Sequence, residues 1–482
     1  MPPSPQNLPP HPISCTWNAA LLLLALAVGI STVAIKGFHL FSDDSYEPFI
    51  QGADDAHYYL WLRSVVVDGD VRFDNDIRET PFLEEHAKQT ILAQPLTATG
   101  GVINKFPVGW AVVSAPFFWV AHVFAPLTPW PADGFSPPYQ VAVWVGHMLI
   151  AALGFALWFH ILRRWVAADV ATIAILLTWL NSPMIYYQSA RIAMVHNAVF
   201  VLACLVFWLA LRISEIIRQG HESNGSKSNK LLLLLILAAG FHAGLLVICR
   251  PSALVYLIPP IALILTTMLR HLLTRPGLCA AMVAVAIIGA TVGVFPQLLA
   301  WKHLYGSWIF YSYQGEGFHW LAPQFFTSLW SAHHGLFNWH PVLLIGLASL
   351  LTATVRKLFP ASWIATALLI IWVNSAWHMV YFGSSFGGRA YEFLVFFASL
   401  GLAFLLQFLA RAQRWRTTLM LTLTLAAIWN ALFLYVFMRG YVSRELPVSW
   451  SERMEAVGSL FSEKATPAKE SAESETTPHG SG

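Results

Sequence analysis

The chain has 482 residues, of which 57% are hydrophobic and only 11% charged, with 21 Trp, 32 Phe and a formal net charge of +3. Soluble domains carry about 25% charged residues, so water cannot solvate this surface on all sides; a soluble enzyme is excluded and no nucleic-acid partner is expected. The four cysteines, Cys15, Cys204, Cys249 and Cys279, show no paired spacing, which argues against a disulfide framework or a zinc site.

The chain opens with a proline-rich segment, residues 1–16, expected to be disordered. An apolar run over 17–37 follows, close to the roughly 20 residues needed to cross a hydrocarbon core of about 30 Å. No small-residue cleavage site comes after it, so it reads as a retained anchor rather than a signal peptide. Residues 38–138 then form a large first loop, in which 12 of the 25 acidic residues lie between Asp43 and Glu85.

Within that loop, Gly52-Ala-Asp-Asp-Ala-His-Tyr-Tyr-Leu-Trp-Leu-Arg63 carries the main chemical signal. Asp54 and Asp55 open a helical pattern that places Tyr58, Leu62 and Val65 or Val66 on one face. Carboxylates in a first turn suit the helix macrodipole, so one reading is a pair that merely caps the helix. The other is general base catalysis. Transfer of a group to a hydroxyl needs a carboxylate that takes the proton as the new bond forms, and a neighbouring carboxylate can orient the acceptor or hold a divalent cation. No pKa shift is required, because an ordinary carboxylate is ionised at neutral pH.

Asp68, Asp70, Asp74, Asp76 and Glu79 match positions 1, 3, 7, 9 and 12 of a calcium loop. The sixth position, where that turn needs glycine, is Phe73, and the fifth is Arg72. A solvated loop that shapes the entrance for an acceptor is the expectation. Pro107 and Pro116 interrupt the next apolar stretch, over 106–125, which therefore predicts short helices lying on the outer leaflet.

Ten more spans are predicted near 139–160, 167–183, 193–213, 231–249, 253–269, 278–300, 341–356, 361–381, 390–410 and 417–437, about eleven in all. Basic clusters at Arg163-Arg164, Arg212 to Lys230, Arg270 and Arg275, Arg356-Lys357, and Arg411 to Arg416 fall between them and mark the cytoplasmic side. The first loop, a second loop over 301–340, and turns near Ala190, Arg250 and Gly387 then face outward. From Lys88 to Tyr391 the only acids are Asp133, Asp169, Glu215, Glu222 and Glu316, all in or beside loops. Helices so free of ionisable groups argue against a proton-coupled pump. His333, His334 and His340 cluster in the second loop without a zinc-like spacing, and packing is the simpler expectation. Trp301, Trp308, Tyr311, Trp320 and Trp330 read as an aromatic belt at headgroup level. The segment 441–482 is polar and expected to be a disordered outer tail.

In this order, several weak motifs make a stronger one: Asp54-Asp55, Asn104-Lys-Phe-Pro-Val-Gly109, Arg250-Pro251, Pro296-Gln-Leu-Leu-Ala-Trp-Lys302, Gln314-Gly-Glu-Gly-Phe318, His334-Gly-Leu-Phe-Asn-Trp-His-Pro341 and Gly383-Ser-Ser-Phe-Gly-Gly-Arg389. From about residue 15 to 440 the chain resembles the GT-C superfamily of integral-membrane glycosyltransferases, in particular the bacterial branch of protein mannosyltransferases and lipid A aminoarabinose transferases. The resemblance implies an all-α polytopic fold over 17–440, with a large first extracytoplasmic loop containing juxtamembrane helices. It also implies a multi-pass protein of the bacterial inner membrane whose active site faces the periplasm. The donor it implies is a sugar on a polyprenyl-phosphate carrier, and transfer goes with inversion. Asp54 corresponds to the family's base, with Asp55 beside it. The phosphate-contacting lysine corresponds to Lys105, here separated from Pro107 by Phe106. Arg250, Arg389 and Lys302 are further candidate phosphate partners, and His57, Tyr58, Arg191, His196, Glu316 and His334 are candidates for the substrate pocket. The family's second acid, at the start of a later helix, is missing from Arg191-Ile-Ala-Met-Val-His196, where His196 stands in position without the charge. Glycan, lipid and protein acceptors all remain open. The alternative function is a transporter or flippase of lipid-linked glycans, which would favour charged or broken helices near mid-membrane and related halves.

Overall fold

A computed structural model describes residue 50 and residues 52–219, 226–270 and 274–461. The proline-rich start, the first predicted span at 17–37, Cys15 and the tail beyond 461 lie outside the described residues. Helix α1 (Ala53–Arg63) continues through one π-helical turn, Ser64–Asp68, and is followed by α2 (Asp74–Glu79) and α3 (Glu85–Leu92). The apolar helices are α4 (Gly109–Phe124), α5 (Pro137–Leu162), α6 (Ala168–Leu180), α7 (Val195–Gln219), α8 (Ser226–Cys249), α9 (Ile258–Leu269, led by the 3-10 stretch Pro251–Leu257) and α10 (Pro276–Tyr305). They continue with α11 (Val342–Val355), α12 (Ala361–Ala376), α13 (Glu392–Phe408), α14 (Gln413–Met438) and a final short helix, α15 (Trp450–Ser459). Among the described residues eight helical stretches are long and apolar enough to cross a membrane, and α6, α11 and α12 are apolar but shorter.

The helices of the bundle alternate in direction. α5 and α7 run parallel: Asn197 Nδ2 donates to the His147 carbonyl at 2.9 Å, Gly154 abuts Val201, and Arg164 pairs with Glu215 near the far end of α7. Between α5 and α14, one end of the bundle therefore collects the connections carrying Arg163-Arg164, Arg270, Arg275, Arg356-Lys357 and Arg414 to Arg416. The opposite end collects the chain around Arg191, Arg250, 306–341 and 377–391. This second end also holds α1 to α4.

Small residues bring the helices together, since lipid tails compete for apolar surface and close backbone packing must supply the attraction. Gly240 and Gly244 of α8 face Gly289 and Gly293 of α10 so closely that a Cβ at Gly289 would lie 2.3 Å from the Leu237 carbonyl oxygen. The α11–α13 contact is tighter still, with a Cβ at Gly401 only 1.9 Å from the Gly346 oxygen.

Three expectations need correction. The stretch 106–125 does not form short helices: α4 is a single helix running through Pro116. Length alone would let it cross, but both its ends meet the site-bearing end of the bundle. Val108 N–H donates to Gln297 Oε1 at 2.9 Å, Ser114 pairs with His147 and His122 with Tyr139, so α4 runs antiparallel to the first part of α5 only. Second, the predicted span 167–183 is broken. α6 ends at Leu180, whose freed carbonyl accepts from Asn430 Nδ2 at 2.7 Å, and a one-turn helix, Met184–Tyr187, carries the chain onward. Irregular backbone at such depth survives only where protein groups satisfy it. Third, the tail is ordered over its first part. Ser449 and Glu452 form a reciprocal capping box at the start of α15, and Trp450 stacks on Trp429 of α14 with centroids 6.0 Å apart.

Candidate functional site

The start of α1 sits among the connections at the second end of the bundle, between those that carry Arg191 and Arg389. No side chain caps this helix, so the capping role open to the acidic pair is not the one it takes. Successive helix residues point about 100° apart, and the two carboxylates accordingly meet arginines from different elements. Asp54 Oδ2 accepts from Arg389 Nη2 at 2.8 Å. Asp55 Oδ2 accepts from Arg191 Nη2 at 2.8 Å and Nε at 3.1 Å.

A third acid joins them. Glu392, the first residue of α13, is fully buried and accepts from Arg250 Nη1 at 3.2 Å, while His196 Nδ1 lies 3.6 Å from its other oxygen. Glu392 escaped the sequence reading although its signal was present: a lone acid opening an apolar helix, three residues after Arg389. The fold brings it side by side with His196, although the two lie far apart in the sequence. At the rim, Lys105 pairs with Glu316 of the second loop and lies over the rings of Phe106 and Tyr313 at 5.7 and 5.6 Å.

Electrostatics separate the members of the acidic pair. Burial favours the neutral form of Asp54, but Arg389 and Arg191 outweigh it and hold the carboxyl below its ordinary value. Burial pushes Asp55 upward against the pull of Arg191, and its Oδ1 is sealed with no hydrogen-bond partner among the described residues. Burial also keeps His57 neutral at pH 7 by lowering its pKa; its Nδ1 sits 2.7 Å from the Ala53 carbonyl. The Tyr58 hydroxyl is driven well up by burial, with Tyr313 and Asp54 adding to the effect and Arg250 and Arg389 opposing it. Tyr313, in the second loop, thus faces the same point and is a second residue the sequence reading missed.

Two predicted site residues lie elsewhere. Lys302 is exposed at the end of α10 and donates from Nζ to the Gly306 carbonyl at 3.0 Å, so it closes its own helix terminus and does not join the cluster. The His334 ring turns away toward the Arg444 carbonyl, with Nε2 at 2.9 Å, and serves packing. The acidic run expected to be a solvated loop keeps Asp70 and Asp74 exposed, but part of it is tied down. Asp68, Asp76 and Glu79 all converge on the buried Arg63 guanidinium, with Asp76 Oδ1 at 3.1 Å and Glu79 Oε2 at 2.9 Å from it.

Among solved structures, the chain is similar to ArnT from Cupriavidus metallidurans bound to undecaprenyl phosphate, at 15% identity and a TM-score of 0.52, covering 92% of this chain and 69% of that one. The apo state of the same protein aligns at 14% identity, a TM-score of 0.49, and 92% and 68% coverage. The chain has the GT-C fold. The archaeal oligosaccharyltransferase AglB from Archaeoglobus fulgidus, solved with an inhibitory peptide and a dolichol-phosphate, also matches, at 13% identity and a TM-score of 0.42, over 92% of this chain and 54% of its own. No protein-family model and no curated protein sequence matches the chain.

Proposed function

We propose that this protein is a glycosyltransferase that moves a sugar from a polyprenyl-phosphate carrier to an acceptor hydroxyl, with inversion, at the periplasmic face of the bacterial inner membrane. One observation carries the assignment of the base. Of the three carboxylates at the arginine cluster, Asp54 alone keeps an open face, with 31% of its side chain exposed against 1% for Asp55 and 0% for Glu392. It is also the acid of the adjacent pair held in its ionised form.

Asp54 then takes the proton of the acceptor hydroxyl while that oxygen attacks C1 of the sugar. The bond from C1 to the phosphate oxygen breaks, and the carrier phosphate leaves with the electron pair. Charge on the phosphate grows from about −1 to −2 during this step. Arg389, Arg250 and Lys105 are the groups suited to receive it, and each now holds a carboxylate. Donor binding exchanges these partners: as the phosphate draws Arg389 away, Asp54 gains basicity when it is needed. Arg191 orients Asp55, and Glu392 with His196 orients Arg250. The placement of the basic connections at the opposite end of the bundle favours the periplasmic face for the site.

The direct test supplies purified protein with radiolabelled polyprenyl-phosphate sugars and candidate acceptors. Asp54→Asn is expected to lower turnover by about 100-fold or more while undecaprenyl phosphate still binds. Full turnover in that variant would rule out Asp54 as base, and loss only in Asp55→Asn would reverse the pair. Because Asp54 is held below the ordinary carboxylate value in the free protein, the limb of kcat/KM that needs it ionised should stay flat from about pH 5 to 7, whereas the limb of kcat, set after Arg389 has been drawn away, should lie at higher pH.

A further inference from the structure

The C-terminal segment reaches the site through an arginine that no carboxylate pairs with among the described residues. Arg453, on α15, is 1% exposed. Its guanidinium donates to the Val448 carbonyl (2.8 and 3.1 Å), to the Asn338 carbonyl (3.2 Å) and to Asn338 Oδ1 (2.8 Å), and it approaches the Ala332 carbonyl at 3.5 Å. It also lies over the rings of Trp339, Trp450 and Phe433 at 4.5, 5.1 and 5.5 Å. Such a cation costs free energy to bury unless several acceptors hold it; here Val448 belongs to its own segment, while Asn338 and Ala332 belong to the second loop.

That loop is what the Gly387-Gly388 turn rests on. Gly388 N–H donates to the His334 carbonyl at 2.8 Å, and His340 Nε2 lies 3.4 Å from the Phe386 carbonyl. Both glycines have positive φ, 57° and 33°, and a Cβ at Gly387 would come within 2.6 Å of the His340 ring. The next residue is Arg389, bonded to Asp54. The other side of the loop is fastened by the C-terminal segment: Arg444 receives the His334 ring, and Val448 N–H donates to the Ala332 carbonyl at 3.3 Å.

We infer that Arg453 and the segment 444–453 position Arg389, holding residues 332–340 as the bed on which the Gly387-Gly388 turn delivers its guanidinium to Asp54. The phosphate-binding half of this inference rests on the proposed function; the positioning half does not. The experiment uses full-length protein in detergent with two arms. In the first, hydrogen exchange is followed in Arg453→Met and in the milder Asn338→Ala, which keeps a measurement available if the former does not fold. The Gly388 amide is expected to exchange about tenfold faster in the variants, with α5 and α7 unchanged; equal exchange at Gly388, or acceleration throughout the bundle, overturns positioning. In the second, undecaprenyl phosphate binding is measured in a double-mutant cycle with Arg389→Ala. A weakening caused by Arg453→Met that disappears in the Arg389→Ala background is expected, whereas equal weakening in both backgrounds would make Arg453 merely structural. Absence of lipid binding by the wild type would sink the proposed donor and leave the first arm decisive.

Discussion

At the residue scale, the site is a set of charges that compensate one another before any substrate arrives. Asp54, Asp55, Glu392 and Glu316 hold Arg389, Arg191, Arg250 and Lys105 respectively. Compensation matters most at Glu392, which is wholly buried against an arginine that is 17% exposed. Removing one partner of such a pair strands the other charge, which costs about 3 kcal/mol or more. Glu392→Gln is therefore expected to lower the melting temperature in detergent markedly, and Glu392→Gln combined with Arg250→Met to recover part of the loss. A melting curve unchanged by Glu392→Gln would show that Arg250 finds another partner. Glu392 also shows why a lone acid is hard to interpret in a sequence: it opens an apolar helix, and only the fold shows that Arg250 and His196 face it.

The first loop shows, at the element scale, how a local pattern can mislead. Acids spaced as in a calcium loop converge on Arg63, because the π-helical turn Ser64–Asp68 and the positive φ of Phe73 fold the segment back over the end of α1. Burial raises Asp76 to about 6 in spite of Arg63. A folded-state value above the ordinary 3.8 means that this group's stabilising, protonated form is fully present below about pH 4 and is lost as pH rises through about 6. The difference amounts to about 3 kcal/mol at most. Melting temperature is thus expected to fall between about pH 4 and 6 in the wild type, with a shallower slope in Asp76→Asn; identical slopes would remove Asp76 as the cause. α6 and α15 carry a similar lesson. A hydropathy window sees one continuous apolar run where Asn430 has in fact allowed a break, and composition alone marks as disordered a segment that Arg453 and a capping box hold in place.

Over the whole molecule, the arrangement separates two kinds of charge. Basic clusters gather at one end of the bundle, as expected of the side that sets orientation, and the compensated cluster of the proposed site lies at the other end. Sidedness is directly measurable. Single cysteines at the exposed positions Glu445 and Arg414, in a background without the native thiols, should react with a membrane-impermeant reagent from opposite sides. Glu445→Cys is expected to label in spheroplasts and Arg414→Cys only after permeabilisation; the reverse would place the site on the cytoplasmic side.

The sequence by itself determined the helical membrane class, the apolar runs that become the bundle helices, and the sorting of basic connections to one end; it also singled out Asp54 and Asp55 as candidates. These are local properties: hydrocarbon thickness and the cost of burying charge act on each run of residues separately. Only the tertiary structure decided which arginine meets which acid, that Glu392 completes the cluster, that Lys302 and His334 stand outside it, and that α15 belongs to the support of Arg389. Those outcomes depend on contacts between positions as far apart as Asp54 and Arg389, or Asn338 and Arg453. No periodicity within a segment encodes them; they exist only once close packing of the helices has brought the outer connections to one place.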